Sequence, residues 1–235
     1  MKEIYDSGII GDVHKVLAWT NRPVWPQGIA WPTTKADVPK ELDWDLWLGP
    51  AKAIDYNPAY LPFNWRGWWA FGTGALGDMA CHTANMAFMA LKLGYPSTII
   101  AENEVLNLET YPGWARITFQ FPARESMGPV KFVWYEGSQD GQTKLLPPPN
   151  LVPGARKTDK GTAIYFENNQ WMFRHANDQV RNISSGSFLV GDKAMPQIVL
   201  LCRSSEKLPN HRSTEGARHS DGGQPAKVRL RIQYL

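Results

Sequence analysis

Asp78 and His82 stand four residues apart in a glycine-rich turn that runs into a helix, residues 65–82. On a helix that spacing stacks two side chains on one face, with Asn85 further along the same stripe. A carboxylate, an imidazole that exchanges its proton near neutrality and an amide then point at one small target. Taken singly, Asp78 is a partner for the positive end of the helix dipole and His82 a satisfied core histidine. The pair, with Asn85 and a loop rich in Arg and Trp beside it, favours a site with acid–base chemistry. Arg66 and Trp68 of that loop are candidate substrate contacts. So are Arg22, Trp25 and Trp31, which lie in a loop broken by prolines at residues 21–40. Structureless loops of that length usually carry function.

The helix that must position these groups is expected over residues 76–93. Leu76, Met79, Ala80, Ala87, Ala90 and Leu91 recur near helical spacing as a second, core-facing stripe, and Gly94 is the expected stop. The glycines before the helix are expected to bring backbone close to a ligand. Residues 72–77 match the G-x-G-x-x-G spacing of dinucleotide sites. That fingerprint needs a β-branched strand before the glycines and an acid at the end of a later strand. The Trp-rich segment 64–71 reads as a loop, so a phosphate-binding role for these glycines is rejected.

Elsewhere, residues 13–20 read as a strand and residues 43–50 as a short helix with an Asp start and a Gly-Pro stop. Strands are expected at 97–108, 114–121, 130–135, 162–167 and 187–190. Strands following a helical segment predict an α+β fold: a mainly antiparallel open β-sheet with helices packed on one face and no Rossmann unit. The uncovered face, with aromatic residues contributed by 114–121, is the expected surface for homo-oligomers. Residues 1–202 form the expected domain. Residues 203–235 read as a polar basic tail with almost nothing to bury.

The composition, with 43% hydrophobic and 20% charged residues, is that of a globular chain. No apolar run approaches a membrane span, and the first residues lack the apolar core of a secretory signal. The chain is therefore read as cytoplasmic, or as exported by a signal outside this sequence. Seven basic and three acidic side chains give residues 203–235 a charge of +4, against +3 for the whole chain, which leaves the rest near −1. No nucleic-acid face follows from that. Cys81 and Cys202 are too few and too far apart for a disulfide framework or metal cluster, and Cys81 reads as a small buried hydrophobe. Eight of the eleven tryptophans precede residue 70, as in pockets for sugars and other polar rings or in loops packed by large side chains.

Residues 7–13, 18–23, 74–82 and 191–193, in that order, resemble the Gfo/Idh/MocA oxidoreductases, the family of glucose-fructose oxidoreductase and inositol dehydrogenase. The resemblance is to the C-terminal, substrate-binding domain, covers roughly residues 3–193, and is most specific at 65–82. It implies a sugar or polyol substrate and NAD or NADP in the full-length enzyme, with no cofactor expected on this chain. It implies that His82 accepts the proton of a sugar hydroxyl and that Asp78 holds the substrate or orients the imidazole. Asn85 stands where many relatives have an acid. The family's Rossmann domain and Glu-Lys-Pro motif are missing from this sequence, so the chain is expected to be inactive alone. A redox-assisted glycosidase and a non-catalytic sugar-binding or assembly module are the competing readings.

Overall fold

The computed structural model describes residues 5–8, 10–104, 107–152, 155–193 and 199–200. The expected tail, 203–235, and Cys202 lie outside these residues. The fold is α+β. A six-stranded sheet has the order β2-β3-β4-β1-β8-β9, built from β1 (Val13–Trp19), β2 (Thr98–Asn103), β3 (Trp114–Phe121), β4 (Val130–Gly137), β8 (Gly186–Gly191) and β9 (Val199–Leu200). Only the β1–β4 pair is parallel. A second sheet joins β5 (Ala163–Glu167), β6 (Gln170–Arg174) and β7 (Val180–Asn182). Helix α1 (Trp44–Leu48) starts where Asp43 Oδ1 accepts the Leu46 N–H at 2.9 Å, and Gly49 caps its end.

Helix α2 (Gly74–Thr83) and helix α3 (Asn85–Ala90) lie where one continuous helix was expected. The Thr83 hydroxyl donates to the Met79 carbonyl, a side-chain bond of the kind that bends helices, and Ala84 links the two segments. Gly94 is not the stop. Lys92 takes the left-handed conformation (φ 47), the Leu93 N–H donates back to the Phe88 carbonyl, and the buried Leu93 anchors the turn.

Both faces of the central strands are covered. Val16, Ala18, Phe132, Trp134 and Leu189 pack with Met79, Ala87 and Leu91 of the helices. On the opposite face Leu17, Trp19, Val133, Tyr135 and Phe188 pack with Trp171 and Phe173 of the small sheet. This is why Val16, Leu17, Ala18 and Trp19 are consecutive, apolar and fully buried. The expected open face is thus reduced to the β2–β3 end. Its β3 residues are Trp114, Arg116, Thr118 and Gln120, with Arg116 ion-paired across the strands to Glu102 and Ile100 of β2 exposed opposite Thr118. Of the aromatic residues of β3, Phe119 and Phe121 turn toward the helices, while Trp114 shares the face of Arg116.

The hairpin strand β6 and its partner β7 were missed in the sequence, though a signal was present. Asn168 and Asn169 form a two-residue turn with φ of 51 and 56, the conformation that two-residue hairpins favour.

Candidate functional site

Three glycines set the entry to α2, and their protein neighbours leave no room for a side chain. A Cβ on Gly72 would strike the Arg66 backbone, and one on Gly77 the Thr73 side chain. Gly74 has φ +62, and a Cβ there would lie 2.5 Å from the Tyr111 ring. That ring is fixed by stacking on Trp69 at 3.8 Å and by donating its hydroxyl to the Gly72 carbonyl at 3.1 Å. Contacts within the protein thus account for all three glycines. Gly74→Ala is expected to destabilise the fold by about 1–3 kcal/mol, read as a lowered urea midpoint at unchanged slope. An unchanged midpoint would show that the entry tolerates a side chain.

The same observation tests the fit of a dinucleotide. A 3-10 turn, Asn64–Gly67, precedes the glycines instead of a strand, and their open sides are filled by protein atoms. These residues do not fit a nicotinamide dinucleotide.

The 3-10 turn places Arg66 against Asp78. Arg66 Nε donates to Asp78 Oδ1 at 3.3 Å, and Arg66 Nη1 donates to the Phe63 carbonyl at 3.2 Å. The guanidinium stands 4.5 Å from the ring centroids of both Phe63 and Trp65 and 5.8 Å from that of Trp25. Aromatic faces thus hold the cation that holds the carboxylate. Both side chains remain part-exposed, about 27% and 30%, so Asp78 keeps an oxygen for a ligand while its partner fixes the other. No hydrogen bond joins Asp78 to His82 among the described residues. His82 is exposed one turn along α2, and Asn85 is exposed at the start of α3. Met79 is buried in the core although it lies one residue from Asp78 and three from His82, so the polar groups of α2 sit at the edge of its buried stripe.

The tryptophans expected to line the site divide. Trp25 is buried, donating to Gln27 Oε1 at 2.7 Å, while Gln27 in turn donates to the Pro112 carbonyl. Trp68 is fully buried. Both pack in the interior, Trp25 against Arg66 and Trp68 against Trp31. Trp31 is part-exposed and meets Trp68 edge-on at 5.4 Å. Arg22 lies apart from Asp78: its Nη1 donates to Asn21 Oδ1 at 2.7 Å, and its charge, after burial, helps lower the pKa of Lys144. Cys81, expected in the core, is an exposed free thiol on α2, because its position follows the polar stripe.

One titratable group escaped the sequence reading. Glu136 is 3% exposed on the helix-facing side of β4, where its Oε2 accepts the Trp134 indole N–H at 2.7 Å. Burial pushes its carboxyl up to about 7, and the indole bond offsets part of that. The signal was the alternation of Phe132, Trp134 and Glu136 on one face of β4. No group of three or more His, Cys, Asp or Glu among the described residues stands together as a metal site. No helix there is long and apolar enough to cross a membrane.

A protein-family model described as "Oxidoreductase family, C-terminal alpha/beta domain" matches residues 2–126, a span that holds α2, Asp78, His82, Asn85 and the loops around them. A search of curated proteins returned no match.

Proposed function

The chain belongs to the Gfo/Idh/MocA oxidoreductase family through its C-terminal alpha/beta domain, and from that premise we propose that it is the substrate-binding domain of an NAD(P)-dependent sugar or polyol oxidoreductase. The observation that carries this reading is the polar stripe of α2, where Asp78 is fixed by Arg66 and His82 stands exposed one turn away. Asp78 accepts a substrate hydroxyl on its free oxygen and so orients the carbinol carbon. His82 takes the proton of the reacting hydroxyl as that carbon is oxidised. The family's nicotinamide supplies the hydride acceptor when bound, and its site belongs to protein outside the residues described here. Alone, this domain holds the sugar and positions the base but does not turn over.

Incubating the complete protein with NAD or NADP and a panel of hexoses and cyclitols tests the reading. Reduced nicotinamide is expected to form in step with oxidised sugar. Release of an aglycone from a glycoside without net reduction would replace it with redox-assisted glycoside cleavage. Sugar binding without either product would replace it with a non-catalytic module.

Self-association through the uncovered strands β2 and β3 belongs to the same proposal. The surface there carries the exposed Ile100 beside the Arg116–Glu102 pair, so apolar burial is expected to drive association and salt to change it little. Sedimentation showing only monomer at tens of micromolar, in low salt, would remove it.

A further inference from the structure

A cavity of about 620 Å³ opens between two loops away from α2, and neither Arg66, Asp78, His82 nor Asn85 lines it. Its size lies in the range of small-molecule pockets. Residues 31–35 form one side and residues 53–57 with Tyr60 the other. Asn57 ties the sides together: its Nδ2 donates to the Thr34 carbonyl at 2.7 Å and its Oδ1 accepts the Ala59 N–H at 2.9 Å. The aromatic wall is braced from behind. Tyr60 is 1% exposed, stacked on Trp44 and edge-on to Trp68 at 5.0 Å, and Trp31 packs on both Tyr60 and Trp68.

The polar groups narrow the ligand. Lys35 Nζ and Asp55 Oδ1 pair at 3.0 Å on the rim, with the two side chains 74% and 70% exposed. Their charges cancel, so the cavity has no attraction for a strongly charged ligand. An apolar ligand would cover this pair and the Thr33 and Thr34 hydroxyls, which have no hydrogen-bond partner among the described residues, and would offer them nothing in return. A ring bearing neighbouring hydroxyls gives each group a partner: the hydroxyls donate to the carboxylate and accept from the ammonium and threonines. Its C–H face fits the part-exposed ring of Trp31.

We propose that this cavity binds a neutral pyranose ring, separately from the acid–base face of α2. The inference does not depend on the redox reading.

Calorimetric titration of the chain with methyl β-D-glucopyranoside, cellobiose and methyl α-D-mannopyranoside tests it. At least one is expected to bind saturably with a dissociation constant in the low millimolar range or tighter. Asp55→Ala changes only an exposed rim residue and is expected to weaken that binding about tenfold. Trp31→Ala is expected to weaken it further, and His82→Ala to leave it unchanged. No saturation by any of the three up to about 50 mM would overturn the proposal, since affinity that weak needs no formed site. Sugar binding with stoichiometry and affinity both unchanged by Asp55→Ala and by Trp31→Ala would also overturn it. So would binding lost in His82→Ala but kept in those two, which would place the sugar on α2 and support the redox reading instead.

Discussion

Glu136→Gln is expected to stabilise the protein at pH 8 by up to about 3 kcal/mol and to flatten its stability between pH 4.5 and 7. The carboxyl is 3% exposed, and its folded pKa is raised from 4.5 to about 7, first by burial. The unfolded chain releases this proton near pH 4.5, whereas the folded protein keeps it until about pH 7. Below the lower value both states are protonated and the group has no effect on stability. Across the window the unfolded state is favoured progressively, at about 1.4 kcal/mol per pH unit, and above about pH 7 the loss is constant. Glutamine has nearly the same shape and keeps an oxygen for the Trp134 indole, but it cannot ionise. Its extra N–H donors need partners, which sets the gain below the full value. Urea unfolding of both proteins from pH 4 to 8 reads the effect directly. Curves that run parallel across the whole range would show that Glu136 titrates as an ordinary solvated carboxyl.

How much of this could be read beforehand varied with the kind of interaction. Strand β1 and helix α1 were legible because their signals are local: consecutive apolar residues in one, and Asp43 with Gly49 and Pro50 in the other. The α2 stripe was legible for the same reason, since Asp78, His82 and Met79 take their directions from helical spacing alone. The end of α3 was not. A glycine was the obvious left-handed residue, but Leu91 and Leu93 in the core hold Lys92 in that conformation, and its ammonium pairs with Glu125 at 2.7 Å. Propensity gave way to packing.

The aromatic loops show the same limit at larger scale. Composition places tryptophans in residues 21–71 but does not say which of them face water. That was decided by contacts between distant segments: Gly67 against the Pro26 carbonyl, Gln27 bonded to the Pro112 carbonyl, Asn57 bonded to the Thr34 carbonyl. Hence Trp25 and Trp68 became packing residues, while Trp31 remained at a surface. The small sheet over the second face was likewise hidden, because its strands are short and its burial depends on Trp171 reaching Phe188, 4.7 Å away between ring centroids. The β3 part of the β2–β3 remainder could have been read from Arg116, Thr118 and Gln120, which alternate with Ile117, Phe119 and Phe121.

His82 is the residue on which the proposed chemistry depends. It is exposed and makes no hydrogen bond among the described residues. Its loss therefore opens no cavity and orphans no partner, so stability is expected to stay within about 1 kcal/mol. If it is the base that takes the hydroxyl proton, its removal acts on the chemical step. The measurement is sugar-dependent turnover of the complete enzyme carrying His82→Ala, set beside its thermal transition. The predicted result is a rate lowered about a hundred- to ten-thousandfold with the transition unmoved. A collapsed thermal transition with unchanged turnover per folded molecule would make His82 a structural residue and contradict the assignment of the α2 face.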